Sequence, residues 1–61
     1  MLRFVGYDPK RRILEVVFNS GDRYQYKGVP SKKYEEMMKA ESLGQYMHKN
    51  ILRRYPYERI R

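Results

Sequence analysis

Cysteine and tryptophan are absent from this 61-residue chain, and histidine occurs once. Without cysteine there is no disulfide framework and no thiolate zinc site to staple a small fold. His48 is the one imidazole, so no conventional metal cluster can be assembled around it. Proline and glycine are sparse, at 3 and 4 residues, and no internal repeat or low-complexity linker is present. No apolar run approaches the roughly 20 residues of a membrane helix. The stretch Met1-Leu2-Arg3-Phe4 lacks a signal-peptide pattern. These absences point to a soluble, cytoplasmic protein without a membrane partner, and a cysteine-free chain fits the reducing cytosol. Acidic residues are scarce as well: 7 Asp and Glu face 14 Lys and Arg, leaving a net charge of +7.

What is present is basic and aromatic. A strong positive charge favours polyanionic partners such as RNA, DNA or a phosphorylated small molecule. The 7 tyrosines and 2 phenylalanines suit a nucleic-acid surface. They equally suit a tiny core that needs large side chains. At this length the chain reads as one domain spanning residues 1–61, with a thin stability margin.

The first half reads as strands. Leu2 to Tyr7 is apolar-rich and ends at the turn signal Asp8-Pro9. Arg12 to Phe18 is β-branched and aromatic, with Leu14, Val16 and Phe18 on one face. Arg23 to Lys27 alternates polar and tyrosine residues, a third strand. The loop between the last two strands decides where Tyr24 and Tyr26 point. A loop of Asn19-Ser20-Gly21, with Gly21 in the left-handed position, pairs Val16 with Tyr24 and Leu14 with Tyr26. A two-residue Ser20-Gly21 loop sends both rings to the other face. The first register keeps the apolar residues together and is favoured, so both rings belong at least half inside.

The second half reads as helical. Ser31 caps a first helix running to about Glu41, with Tyr34, Met37, Met38 and Glu41 on its stripe. Glu35 and Glu36 open that helix, where acids complement its dipole. Ser42 with Gln45 three residues later forms a capping box for a second helix that Pro56 stops. Its inward stripe is Leu43, Tyr46, Met47, Asn50, Ile51 and Tyr55. The tail from Tyr57 either docks through Tyr57 and Ile60 or frays. The predicted fold class is α+β: a three-stranded antiparallel β-sheet followed by two helices, β-β-β-α-α.

No catalytic constellation emerges. His48 has no carboxylate at an orienting spacing and reads as a helix-surface residue. Ser20, Ser31 and Ser42 each sit at a turn or cap signal. The chain therefore reads as non-enzymatic, with no catalytic residue, no metal and no cofactor. Anion binding is the better prospect. Ser42 and Gly44 stand at a helix start, where free N–H groups attract phosphate. Alternatively, Gly44 permits close packing of that turn. The basic residues fall into three sets: Lys10, Arg11 and Arg12; Arg23 and Lys27 around Gln25; and Lys49, Arg53 and Arg54, followed by Arg59 and Arg61.

Certain residues recur together in a known pattern. They are Gly6-Tyr7-Asp8, Leu14-x-Val16-x-Phe18, Gly21-x-x-Tyr24-x-Tyr26-x-x-Val29-Pro30, Tyr34, Ala40-x-Ser42-x-Gly44-x-Tyr46, Asn50-Ile51 and Tyr55. The pattern closely resembles the KTSC domain, over about residues 2 to 60. That family occurs at the C-terminus of some lysyl-tRNA synthetases and as stand-alone proteins. The resemblance marks Tyr24, Tyr26, Ser42 and Gly44 as hallmark positions and implies RNA binding through the synthetase context, but carries over no catalytic residue. Met47-His48 departs from an expected Phe-Asn-like pair, and the family's short Ser-containing lead-in is missing; both leave room for a different ligand. The leading reading is a non-catalytic module for a phosphate-bearing ligand, RNA first, contacted by Arg23, Lys27, Lys49, Arg53 and Arg54 with Tyr24 or Tyr26 as the aromatic. One alternative is a homo-oligomer, phage-encoded in one version, that sequesters a nucleotide-derived small molecule between its copies. Another is a protein-interaction module built on Met37, Met38, Met47 and exposed tyrosines.

Overall fold

The computed structural model describes residues 2–60. The first hairpin joins β1 (Leu2–Asp8) to β2 (Ile13–Phe18). In its turn the Asp8 carboxylate accepts from the backbone N–H groups of Lys10 and Arg11. Arg12 closes the turn in the left-handed region at φ 56°. The second hairpin leads to β3 (Arg23–Lys27). Its loop has the three-residue form: Gly21 N–H donates to Phe18 O, Phe18 N–H donates to Asp22 O, and Gly21 sits at φ 94°. That loop sets the register predicted above, Val16 opposite Tyr24 and Leu14 opposite Tyr26.

The chain then forms α1 (Ser31–Lys39) and α2 (Leu43–Asn50), and ends in β4 (Tyr57–Ile60). The fourth strand corrects the three-stranded expectation: the sheet has four strands in the order β1-β2-β3-β4, and the last follows the helices. An unpaired β3 edge would expose a row of backbone donors and acceptors. Tyr57–Ile60 fills it antiparallel, with Tyr26 opposite Tyr57 and Tyr24 opposite Arg59. Charges reinforce the pairing through Arg59 to Asp22 at 2.8 Å and Lys27 to Glu58 at 3.3 Å.

The helices also differ in detail. The residue capping α1 is Pro30, with Ser31 already inside, and no side chain caps that end. Glu35 and Glu36 consequently lie beyond the first turn, and Glu36 instead accepts from the Tyr46 hydroxyl of α2. α1 stops at Lys39 rather than near Glu41. α2 starts as expected, with Ser42 Oγ accepting from Gln45 N–H at 3.3 Å. It ends at Asn50, well before Pro56. There Met47 O accepts from both Ile51 and Leu52 N–H, and a turn through Arg54 steers the chain back to the sheet, where Pro56 O accepts from Lys27 N–H.

Both helices cover one face of the sheet. Leu14, Val16, Tyr26, Val29, Met37, Met47 and Ile51 form the core, each 2% exposed or less. Tyr7 stacks on Tyr34 at 5.0 Å, and its hydroxyl donates to Val29 O, pinning α1 to β1. Strand alternation places Phe4, Gly6, Glu15, Arg23, Gln25 and Lys27 on the opposite, open face.

Candidate functional site

The structure separates the predicted site residues rather than gathering them. Arg23 and Lys27 occupy the open sheet face, each facing a carboxylate: Glu15 lies 3.7 Å from Arg23, and Glu58 lies 3.3 Å from Lys27. Gln25 between them donates to Glu15. A groove of about 270 Å³ on this face includes Phe4, Asp8, Arg11 and Glu15, with Arg11 itself 4.0 Å from Asp8. Its charges are mixed, which does not favour a polyanion.

Tyr24 and Tyr26 point the other way, toward the helices. Tyr26 is only 2% exposed and Tyr24 is half-buried. Tyr26 therefore offers no free ring face for stacking in this fold. Phe18 meets Tyr24 edge-on at 5.4 Å. Tyr57 then continues the aromatic series outward, 5.4 Å from Tyr24 and 5.6 Å from Tyr26, and is 60% exposed. Sequence reasoning missed this ring because its exposure depends on the unforeseen fourth strand. The clue was the alternation Tyr57-Glu58-Arg59-Ile60, whose charges complement Lys27 and Asp22.

Ser42 Oγ is engaged in capping α2. Gly44 follows on a shallow groove of about 430 Å³ shared with Gln45, His48 and Lys49. A Cβ on Gly44 would meet nothing within 4 Å, so close packing does not account for this glycine. His48 is exposed on the surface of α2. Among the described residues no group of three His, Cys, Asp or Glu side chains could hold a metal ion, and no helix is long and apolar enough to cross a membrane.

Lys49 in the last turn of α2, and Arg53 and Arg54 in the turn after it, are exposed. None of the three forms an ion pair among the described residues. Arg59, which follows them in the third basic set, pairs instead with Asp22, whose carboxyl is held below its ordinary range by hydrogen bonds from Ser20 and Arg59. Arg61, the last of that basic set, lies outside the described residues. Of the three methionines expected on an interaction patch, Met37 and Met47 are buried and only Met38 is exposed, at 43%.

Comparison with known proteins decides the family. Residues 1–55 match the KTSC domain. The chain belongs to the KTSC family. A crystal structure of a KTSC domain protein from Yersinia pestis superposes with a TM-score of 0.95 at 33% identity, covering 98% of this chain and 84% of the other. An uncharacterized protein from Stutzerimonas stutzeri (strain A1501) is 42% identical over 60 residues, 97% of this chain and 84% of that protein. A lysine–tRNA ligase from Nostoc sp. is 41% identical over 54 residues, 88% of this chain but 10% of the ligase. Within the KTSC pattern, Tyr26 and Ser42 now have structural roles, as core ring and helix cap.

Two phenols of this KTSC fold bear on its pH dependence. Burial, followed by the neighbouring Tyr24 and Tyr57, pushes Tyr26 from 10.0 up to about 12. Burial, followed by the hydrogen bond to Glu36, does the same to Tyr46, also to about 12. The unfolded chain releases these protons near pH 10, while the folded chain holds them to about pH 12. The stabilisation these two phenols contribute is thus fully present below pH ~10 and is lost as pH rises toward 12, by about 1.4 kcal/mol per pH unit for the buried Tyr26. Urea midpoints measured across this range are expected to fall steadily; a flat profile would contradict the assignment.

Proposed function

We propose that the chain is a non-catalytic binding module whose ligand is RNA, held through its phosphates by Lys49, Arg53 and Arg54. The observation that carries this reading is the contrast in charge pairing. Arg23, Lys27 and Arg59 each face a carboxylate, whereas these three exposed cations face none among the described residues. Lys10, Arg12, Lys32 and Lys39 are likewise exposed and without an ion pair there, but only Lys49, Arg53 and Arg54 gather three such charges within six residues. A paired cation gives up part of its attraction for phosphate; an unpaired one keeps it. The related segment in a lysine–tRNA ligase supports RNA as the polyanion, and a cysteine-free chain suits the reducing cytosol.

Fluorescence anisotropy with a labelled RNA tests the reading. Three phosphate contacts to a single strand give a slope of about −2 in log affinity against log salt. Raising salt fourfold should then weaken binding roughly 20-fold. Affinity that ignores salt would remove the electrostatic basis of the proposal. The alternative, a nucleotide-sized ligand held between copies, draws on the groove at Gly44, Gln45, His48 and Lys49. Native mass spectrometry distinguishes it, because that reading requires an oligomer with a small ligand bound.

A further inference from the structure

We infer that Tyr57 stacks on an unpaired base, so that the RNA crossing this module is single-stranded at β4. The inference rests on the RNA reading and names which form of RNA is selected.

Tyr57 is 60% exposed, yet its orientation is constrained. Tyr26, fixed in the core, sits 5.6 Å away at 41°, and Tyr24, itself braced by Phe18, sits 5.4 Å away at 58°. A ring held on one side and free on the other loses little conformational freedom when a second aromatic plane settles on it. The surrounding charges also suit an anionic strand. Arg59 shares the face of Tyr57 and neutralises Asp22, while Glu58 points to the opposite face and pairs with Lys27. Tyr55 and Pro56 alone separate Tyr57 from Arg54, which like Arg53 forms no ion pair among the described residues. Phosphates held at the turn would therefore deliver adjacent nucleotides toward β4.

Phe4, the other strongly exposed ring at 53%, lacks this setting. It lies on the opposite sheet face, folded over Gly6, in the groove that includes Asp8 and Glu15. Those carboxylates disfavour phosphate. A duplex keeps its bases paired and stacked on one another, so it offers no base plane to Tyr57. Stacking of this kind tolerates any base, so little sequence preference is expected.

The test compares a labelled single strand of about 12 nucleotides with a blunt-ended two-strand duplex of about 12 base pairs, which has no unpaired loop, at equal salt, by anisotropy. The single strand should bind more tightly. Tyr57→Ala should weaken single-strand binding about 5- to 100-fold, leave duplex binding unchanged, and Tyr57→Phe should restore the single-strand affinity. Because Tyr57 also braces β4, Tyr57→Trp supplies an independent readout. It would be the sole indole in the chain, and its fluorescence should be quenched by the single strand but not by the duplex. Equal affinity for both forms, full affinity in Tyr57→Ala, or an unquenched indole in a complex that anisotropy reports as bound would each overturn the stacking inference while leaving RNA binding intact. Failure to bind either form would overturn the RNA reading and this inference together.

Discussion

Tyr26→Ala is expected to leave the chain largely unfolded at room temperature. Tyr26 is 2% exposed at the centre of a core that includes Leu14, Val16, Met37 and Ile51. Removing a buried aromatic ring costs about 3–5 kcal/mol, part lost burial and part cavity. A core in a domain this small rarely supplies more than about 3–5 kcal/mol in all. No disulfide is available to offset the loss. Circular dichroism should show loss of the cooperative melt, and Tyr26→Phe, which keeps the ring, should retain it. A cooperative Tyr26→Ala transition within a few degrees of the parent would show that the core tolerates the hole. Tyr24→Ala should be milder, because Tyr24 is only half-buried.

The triple substitution Lys49→Ala, Arg53→Ala, Arg54→Ala should weaken RNA binding roughly 100-fold at about 0.1 M salt. Each single-strand phosphate contact contributes about 0.7 to the salt slope, or about 5-fold in affinity at that salt concentration. The slope should fall by about 2 along with the affinity. All three side chains are exposed, so the fold should survive. Arg23→Ala with Lys27→Ala is the matched comparison. Those cations face Glu15 and Glu58, and their loss should change binding far less. If the Arg23 and Lys27 pair proved the more damaging, the open sheet face would be the RNA surface instead.

The contrast between these two basic sets was only partly legible in the residues. Arg23 and Lys27 looked equivalent to Lys49, Arg53 and Arg54 as positive charges on polar faces. Glu15 is eight residues from Arg23 and Glu58 is thirty-one from Lys27. Pairing across strands, not sequence spacing, brings them together. The Ser42 cap was legible because its chemistry spans three residues. The end of α2 was not. Pro56 marks where a helix must stop, but Asn50 is where this one does, since the chain must turn back in time for Pro56 O to meet Lys27 N–H.

The direction of Tyr24 and Tyr26 was settled by local rules. A three-residue loop with glycine in the left-handed region sets the register, and a side-chain period of two then puts both rings on the face of Leu14 and Val16. Nothing distant was needed. Which tyrosine stays exposed was a different matter. It depended on the β3 edge still being open after the helices had packed, and on a tail of four residues with the right charges to close it. Edge pairing joins segments about thirty residues apart in the chain and leaves only a weak local signature. Local chemistry therefore sent two tyrosines inward, and tertiary structure alone put the third, Tyr57, beside them with a free face.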